Sequence, residues 1–156
     1  VTGSNQMEVL KKAVDVEVDG ERLFNVFQVT YNVFDQSIAA LAKQISESGG
    51  RLVIKEALAN GRVFPNPPFA NYKPHYQKME KLALKYDVGI DAIALRFCLD
   101  SIPAFKVLSG ASNQSQLVKN LKALSFKLME EEVDQLKKMA VLPQDYWSER
   151  KKLAWN

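Results

Sequence analysis

Three short apolar segments, each followed by a helical pattern, constrain the fold of this chain more than any other feature of its sequence. Residues 23–34, 52–54 and 105–108 are rich in apolar side chains, and we predict that each forms a strand. The near-continuous apolar run in the first half of residues 23–34 is typical of a strand buried on both faces, as in parallel sheets. Strands that alternate with helices form right-handed βαβ units around a parallel sheet. A small doubly wound sheet and part of a (β/α)8 barrel both satisfy this pattern. A complete barrel needs eight strands and about 250 residues, so three strands in 156 residues cannot close one.

Helical periodicity and turn residues account for most of the remaining chain. Apolar stripes predict helices over residues 5–14, 35–49, 76–86, 90–99, 113–124 and 130–139, with a helical tail over 143–156. Asn5 and Glu8 have the spacing of a capping box, and Asp35 is a candidate cap for the second helix. The acidic segment 16–21 and the segment 57–74, which holds four of the six prolines, are predicted as loops.

Length and composition indicate a soluble globular chain, predicted here as a single partial domain over residues 1–156. A net charge of +3 is too small to predict a nucleic-acid partner, and no apolar run approaches the roughly 20 residues of a membrane span. The basic run 150–152 is interpreted as a solvated tail. The single cysteine, Cys98, is expected to be a buried structural thiol, which suits a reducing, cytoplasmic compartment. Val1 in place of an initiator methionine suggests a fragment of a longer protein.

Polar side chains follow all three predicted strands. Gln28, Thr30 and Asn32 share one face of the first strand, Lys55 and Glu56 end the second, and the run Ser-Gly-Ala-Ser ends the third. The carboxyl ends of parallel strands lie at one edge of a sheet, so these groups are candidates for a shared site. The alternative is that they mark only where burial stops.

The third strand leads directly into a helix whose first turn is crowded with hydrogen-bonding side chains. Gly110 permits a tight turn, Asn113 and Gln116 form an N-x-x-Q capping pair, and Asn120 lies one turn further along the same face. The first amide groups of a helix lack partners and lie at the positive end of its dipole, which makes such a turn a candidate phosphate site. Plain helix capping is the alternative. Three leucines on this helix are expected to point inward: Leu117, Leu121 and Leu124.

The pattern S-G-A-S-x-x-x-Q-L-x-x-N-L over residues 109–121 resembles the cofactor-binding signature of aldo-keto reductases. Residues 27–32 resemble the family's sixth-strand motif Q-V-x-Y-N, residues 1–5 the end of its fifth strand, and residues 53–62 its seventh strand and the phosphate-contacting loop. The resemblance therefore implies an α/β fold of parallel β/α units forming the C-terminal half of a (β/α)8 TIM barrel.

The same resemblance implies a binding site for NADP or NAD. Gln28, and with it Ser4 and Asn5, would hold the nicotinamide carboxamide. The residues that would lie along the pyrophosphate are Leu58, Asn60 and Gly61, and those that would meet the adenosine half are Gly110, Ser112, Asn113, Gln116 and Asn120.

Two positions depart from the family pattern. Lys55 stands where an aromatic residue usually stacks on the nicotinamide ring, and it could bind an anionic group or form an ion pair with Glu56. Gln116 stands where many members carry the arginine that grips the 2′-phosphate of NADP, although Lys119 could supply a charge nearby. The choice between NADP and NAD therefore stays open.

The resemblance implies that the intact parent is an oxidoreductase that reduces a small aldehyde or ketone with NAD(P)H. The family's catalytic Asp, Tyr, Lys and His belong to the earlier half of the barrel, so we predict no catalytic residue here and no turnover by this chain alone. His75, the only histidine, is interpreted as a surface or capping residue, and no metal site is expected. Open sheet edges predict association with the missing N-terminal half or with a second copy. A non-catalytic nucleotide-binding or structural half-barrel is the alternative function.

Overall fold

A three-stranded parallel sheet organises the chain. The computed structural model describes residues 1–65 and 67–153, and its main sheet has the order β3 (Val26–Thr30), β4 (Arg51–Lys55) and β5 (Ala104–Val107). β3 pairs with β4 in register along its whole length, and β5 pairs with the other side of β4 with one irregularity in the register. The predicted βαβ organisation is confirmed, because helices connect each strand to the next.

Seven α-helices and three 3₁₀ turns complete the described part of the chain. The helices are α1 (Gln6–Val14), α2 (Ala39–Glu47), α3 (Lys73–Tyr86), α4 (Ile90–Ser101), α5 (Gln114–Leu121), α6 (Glu130–Lys137) and α7 (Pro143–Lys151). The 3₁₀ turns are Ala59–Gly61, Pro67–Tyr72 and Lys122–Leu124. The predicted helical tail is confirmed as far as α7, and residues 154–156 lie outside the described part. No described helix combines the length and apolar character needed to cross a membrane.

Only one face of β3 is buried by helices, so the prediction of a strand buried on both faces is wrong. Phe27 and Val29 are buried, whereas Val26 and Gln28 on the opposite face are exposed. The predicted span 23–34 is also too long. β4, its partner, has only five residues, and beyond them the Asn32 side chain accepts two backbone N–H bonds that turn the chain away.

The predicted loop over residues 16–21 contains a small antiparallel hairpin. Glu17–Val18 (β1) pairs with Glu21–Arg22 (β2), and the two residues between them, Asp19 and Gly20, have φ of 53° and 81°. Positive φ at both central residues defines the turn type that matches the twist of paired strands, and Asp-Gly is a preferred sequence for it. The turn chemistry was thus present in the sequence, but the flanking residues are too polar to be recognised as strands.

Neither predicted cap residue makes a side-chain cap bond, although Asn5 occupies the N-cap position of α1. Asn5 makes no side-chain bond to the first turn of α1, and α2 begins at Ala39, after Asp35. The Asp35 carboxylate instead accepts bonds from both the backbone N–H and the hydroxyl of Ser37, and from the indole N–H of Trp147. Burial raises the pKa of Asp35. Its short side chain satisfies a buried turn that holds β3 against α7.

Candidate functional site

A cleft of about 480 Å³ opens at the carboxyl ends of β4 and β5. Ligand sites of parallel α/β folds form at this edge, where loops leave the strands. Two segments supply most of the lining, the loop after β4 and the turn that leads from β5 into α5. The lining residues are Lys55, Glu56, Ala57, Leu58, Asn60, Gly61, Phe64, Asp91, Leu108, Ser109, Gly110, Gln116 and Asn120.

The loop after β4 has an uncommon backbone conformation. Glu56, Ala59 and Asn60 have φ of 57°, 48° and 55°, in the left-handed region that is unfavourable for residues other than glycine, and Gly61 follows at 86°. Three such residues within five positions need support from outside the loop. Two arginines link the loop to the C-terminal helix α7: Arg62, at the end of the loop, and Arg150, in α7.

Arg62 is the first of these arginines and is fully buried. Its Nε donates to the carbonyl of Ala59 at 3.1 Å, and its Nη1 donates to the carbonyl of Tyr146 at 3.0 Å and to the Glu149 carboxylate at 3.4 Å. The guanidinium carbon lies 4.0 Å from the centre of the Tyr146 ring. The hydroxyl of Tyr72 donates to the same Glu149 carboxylate at 2.6 Å. Arg62 thereby joins the strained loop to α7.

Arg150 is the second arginine, and its partner is Glu56 in the wall of the cleft. Arg150 Nη2 donates to Oε1 of Glu56 at 2.6 Å, and Arg150 Nε lies 3.0 Å from both carboxylate oxygens. The hydroxyl of Tyr146 donates to Glu56 at 3.3 Å, and Lys55 Nζ lies 4.0 Å away. Hydrogen bonding to Glu56 raises the pKa of Arg150. The interpretation of residues 150–152 as a solvated tail is therefore wrong for Arg150, since its charge is held against the cleft.

The N-terminal turn of α5 forms the opposite wall. Asn113 is its N-cap and accepts the backbone N–H of Gln116 at 2.9 Å, while Gln116 Oε1 accepts the backbone N–H of Ser112 at 2.8 Å and its hydroxyl at 2.9 Å. The predicted capping pair is confirmed. Gly110 has φ of 66°, so the turn from β5 into the helix requires a backbone conformation that glycine adopts without strain.

Asn120 closes this wall one helical turn further along. Its side chain is 5% exposed, and its amide Nδ2 donates to the carbonyl of Ser109 at 3.0 Å. This bond ties the middle of α5 to the end of β5, so the wall is fixed at both ends. The amide oxygen remains a possible acceptor for a bound ligand.

Seven of the residues predicted to bind the cofactor line this one cleft, namely Lys55, Leu58, Asn60, Gly61, Gly110, Gln116 and Asn120. Ser112 and Asn113 lie beside it in the cap of α5. The remaining three are not among its lining residues. Gln28 is exposed on the open face of β3, where its carbonyl accepts the Val1 ammonium at 2.7 Å, and Ser4 and Asn5 are exposed before α1.

Sequence reasoning missed several residues of the site. Asp91 and Leu108 line the cleft without having been singled out, and Arg62 was not predicted to be buried. Phe64 lines the cleft as well, and the sequence had offered it, with the other aromatics of the loop 57–74, as a candidate lining residue. The sequence Ala-Asn-Gly-Arg over residues 59–62 was the signal for this part of the site, because Asn-Gly favours a turn with positive φ and the arginine follows that turn directly.

The prediction that three leucines of α5 point inward is also wrong. Leu117, Leu121 and Leu124 are 44%, 53% and 67% exposed. α5 and the turn after it contact α4, where Asn120 and Ala123 are buried, and the three leucines line an open groove of about 280 Å³ beside α4 and the end of β5. Their apolar spacing was interpreted correctly as one face of a helix, but that face is largely exposed.

The remaining candidates lie outside the cleft. Cys98 is fully buried, as predicted, with its Sγ donating to the carbonyl of Tyr31 at 3.4 Å, and burial raises the pKa of its thiol. His75 is half-buried beside the rings of Phe34 and Tyr72, so its interpretation as a surface or capping residue stays a prediction. Within residues 1–65 and 67–153, no group of three His, Cys, Asp or Glu side chains is placed to hold a metal ion.

Solved structures share this fold. The thermostable aldo-keto reductase Tm1743, solved with the inhibitor epalrestat, matches 85% of the chain at 23% identity and a TM-score of 0.66. The holo form of aldo-keto reductase AKR11C1 from Bacillus halodurans matches 87% at 23% identity and a TM-score of 0.64. A variant of Gox0644 in complex with NADPH matches 90% at 17% identity and a TM-score of 0.56. The chain covers 44%, 48% and 45% of these three structures, less than half the length of each.

Comparison with the sequences of other proteins gave two results. No curated protein matches the chain. The profile of the aldo/keto reductase family, in contrast, matches residues 2–141, which include both walls of the cleft and all three strands of the main sheet. The chain belongs to the aldo/keto reductase family.

Proposed function

We propose that the cleft binds the nicotinamide dinucleotide of an NAD(P)H-dependent carbonyl reductase, and that this chain is the cofactor-binding, C-terminal half of its barrel. One observation carries the proposal. Six residues that sequence resemblance assigns to the cofactor, together with Lys55, come from two segments about fifty positions apart, and they line a single cleft. That convergence depends on the tertiary fold and is not a property of either segment alone.

The two walls suit the two polar parts of a dinucleotide. The N-terminus of α5 presents backbone amides, which are good partners for a pyrophosphate, and the turn at Asn60 and Gly61 forms the facing wall. Asn120 and Gln116 supply side-chain amides for the adenosine half. When bound, the nicotinamide supplies the hydride for the reduction of an aldehyde or ketone. The chain's own residues hold and orient the cofactor.

The proposed nicotinamide end lies at the open face of β3, beyond the residues that line the cleft. We propose that Gln28, with Ser4 and Asn5, holds the carboxamide on the open face of β3, where Gln28 is exposed and Val1 lies beside it. Lys55 points a cation into the cleft at the position where the family usually stacks an aromatic ring. Gln116 is uncharged and accepts hydrogen bonds from Ser112, so a 2′-phosphate of NADP would need a cation from elsewhere, for which we propose Lys119.

Asn120→Ala and Gln28→Ala should each weaken NADPH binding by about tenfold, because each removes one directional hydrogen-bonding group from the proposed contact. Isothermal titration of the purified chain measures the effect. Gln135→Ala, an exposed change on α6, is the matched control and should leave the affinity unchanged. Circular dichroism must show an intact fold for Asn120→Ala, since that amide also bonds to Ser109. Wild-type affinity in both variants would contradict the assignment.

The same samples can be used to measure NADPH oxidation separately from NADPH binding. With a reactive aldehyde present, we expect bound NADPH to remain unoxidised, because the resemblance places the family's catalytic residues in the preceding strands of the barrel. Steady oxidation of the cofactor by the wild-type chain would show that these 156 residues contain a complete active site.

We further propose that the preceding half of a barrel covers two apolar surfaces of this chain. One is the open face of the sheet, where Val26 and Phe105 are 56% and 49% exposed. The other is the leucine face of α5, formed by Leu117, Leu121 and Leu124. Apolar side chains in such patches mark surfaces that are buried in an assembly, and an open sheet edge invites a further strand.

Without that half, the leucine face of α5 should drive self-association of the chain. Multi-angle light scattering should detect dimers or larger species at micromolar concentrations, and the double variant Leu117→Ser/Leu121→Ser should shift the distribution toward monomer. Leu84→Ser is the matched control, because Leu84 is 82% exposed on a different helix. A wild-type chain that stays monomeric, or a control with the same effect as the double variant, would contradict this proposal.

A further inference from the structure

We propose that Arg150 sets the charge of the cleft, because its ion pair with Glu56 allows a phosphate-bearing ligand to occupy a wall that would otherwise present a carboxylate. The inference rests on the proposed function in taking the ligand to be a dinucleotide. It adds a positioning residue from the C-terminal helix α7, which lies outside the segments that resemble the family's cofactor-binding motifs.

Glu56 is an unexpected residue in the wall of a polyanion site. It lines the cleft at the end of β4, its side chain is only 9% exposed, and a second carboxylate, Asp91, lines the same cleft. Like charges a few ångströms apart repel strongly where water is largely excluded. A pyrophosphate could therefore approach this wall only if the Glu56 charge is compensated.

Arg150 provides that compensation with a fixed geometry. Both its Nε and its Nη2 bond to the carboxylate of Glu56, a fork arrangement that lysine cannot reproduce. Its guanidinium also lies 5.1 Å from the centre of the Trp147 ring, and the Trp147 indole is itself bonded to Asp35. α7 thus holds the guanidinium of Arg150 in a fixed position behind the wall of the cleft.

Lys55 alone does not fulfil this role. Its Nζ lies 4.0 Å from Glu56, longer than a hydrogen bond, and its side chain is 22% exposed. Lys55 can therefore turn toward a ligand, whereas Arg150 remains committed to the carboxylate. Lys55 is therefore available to bind the ligand, while Arg150 neutralises the charge of Glu56.

A purely structural role for Arg150 makes a different prediction. If Arg150 only anchors the left-handed backbone at Glu56, its loss should weaken every ligand of the cleft to the same degree. If it neutralises Glu56, its loss should weaken charged ligands selectively, and removal of the Glu56 charge should restore binding. Comparing a charged with an uncharged ligand, in variants with and without the Glu56 charge, distinguishes the anchoring role of Arg150 from the neutralising role.

The experiment measures ADP and adenosine binding to the wild-type chain and its variants by calorimetry. Arg150→Met should weaken ADP binding by about tenfold and leave adenosine binding within about twofold. The double variant Arg150→Met/Glu56→Gln should recover most of the ADP affinity. Lys151→Met, an exposed neighbour on the same helix, is the matched control and should change neither ligand.

Glu56→Gln alone keeps the inference testable if Arg150→Met fails to fold. It removes the carboxylate charge while retaining an acceptor for Arg150, and it should maintain or raise the ADP affinity. Equal losses for ADP and adenosine, no recovery in the double variant, or weaker ADP binding by Glu56→Gln would each overturn the inference. If Arg150→Met leaves ADP binding intact, the inference fails and the proposed function stands. If the wild-type chain binds neither ADP nor NADPH, both fail.

Discussion

Arg62→Met should lower the free energy of unfolding by about 3 kcal/mol, because it breaks a buried ion pair. Arg62 is fully buried, and its removal leaves the carbonyls of Ala59 and Tyr146 and the carboxylate of Glu149 without its donors. Methionine preserves much of the volume, so the loss reports polar groups left unpaired more than an empty cavity. We place it at the lower end of the range for broken buried ion pairs because Glu149 keeps its bond from Tyr72.

Urea unfolding followed by circular dichroism measures this change, with Arg22→Met as the control. Arg22 donates one exposed bond, to the carbonyl of Ser48, so its loss should cost less than about 1 kcal/mol. Arg62→Lys keeps the charge but cannot form the same fork, and it should be nearly as destabilising as methionine. Similar stabilities for Arg62→Met and Arg22→Met would show that the buried arginine does not anchor the loop.

Asn32→Ala should cost about 2 to 4 kcal/mol, because four hydrogen bonds of a fully buried amide disappear together. Its Nδ2 donates to the carbonyl of Glu56 and to the hydroxyl of Tyr146, each at 2.9 Å. Its Oδ1 accepts the backbone N–H groups of Phe34 and Asp35, also at 2.9 Å. One side chain therefore joins the end of β3, the first residue of the cleft loop and α7.

Asn32→Asp distinguishes this network from simple loss of volume. Aspartate keeps both acceptor bonds but turns the donor side into a buried carboxylate that faces the carbonyl of Glu56. We expect it to be at least as destabilising as alanine in the same urea experiment. Asn25→Ala, at an exposed position before β3, is the control and should be nearly neutral. An Asn32→Asp variant of wild-type stability would contradict the account of the network.

The parts of the fold that sequence predicts are those with local signals. Gly110, Asn113 and Gln116 lie within seven positions, and their turn and cap chemistry acts within that span. Apolar periodicity likewise located the helices and the three main strands, because burial on one face is recorded in neighbouring residues. The residues proposed to bind the cofactor came instead from the family resemblance, and seven of them line one cleft at the strand ends.

The parts that sequence reasoning missed depend on distant partners. Arg62 contacts residues 84 and 87 positions away, and Arg150 contacts one 94 positions away, so neither burial nor pairing is visible in the local pattern. The basic run ending α7 was interpreted as solvated because exposed charge is the usual state of such runs. For the leucines of α5, periodicity identified the apolar face of the helix, but it did not predict that this face is exposed.

Titration of the wild-type chain with NADPH tests most directly whether the cleft holds a dinucleotide. Energy transfer from tryptophan to the reduced nicotinamide gives the signal, and competition by ADP shows that the adenosine end occupies the same site. We predict saturable binding with a Kd on the order of 1 to 100 μM and full displacement by ADP. A signal that stays linear with NADPH into the millimolar range would contradict a preformed cofactor site in this chain.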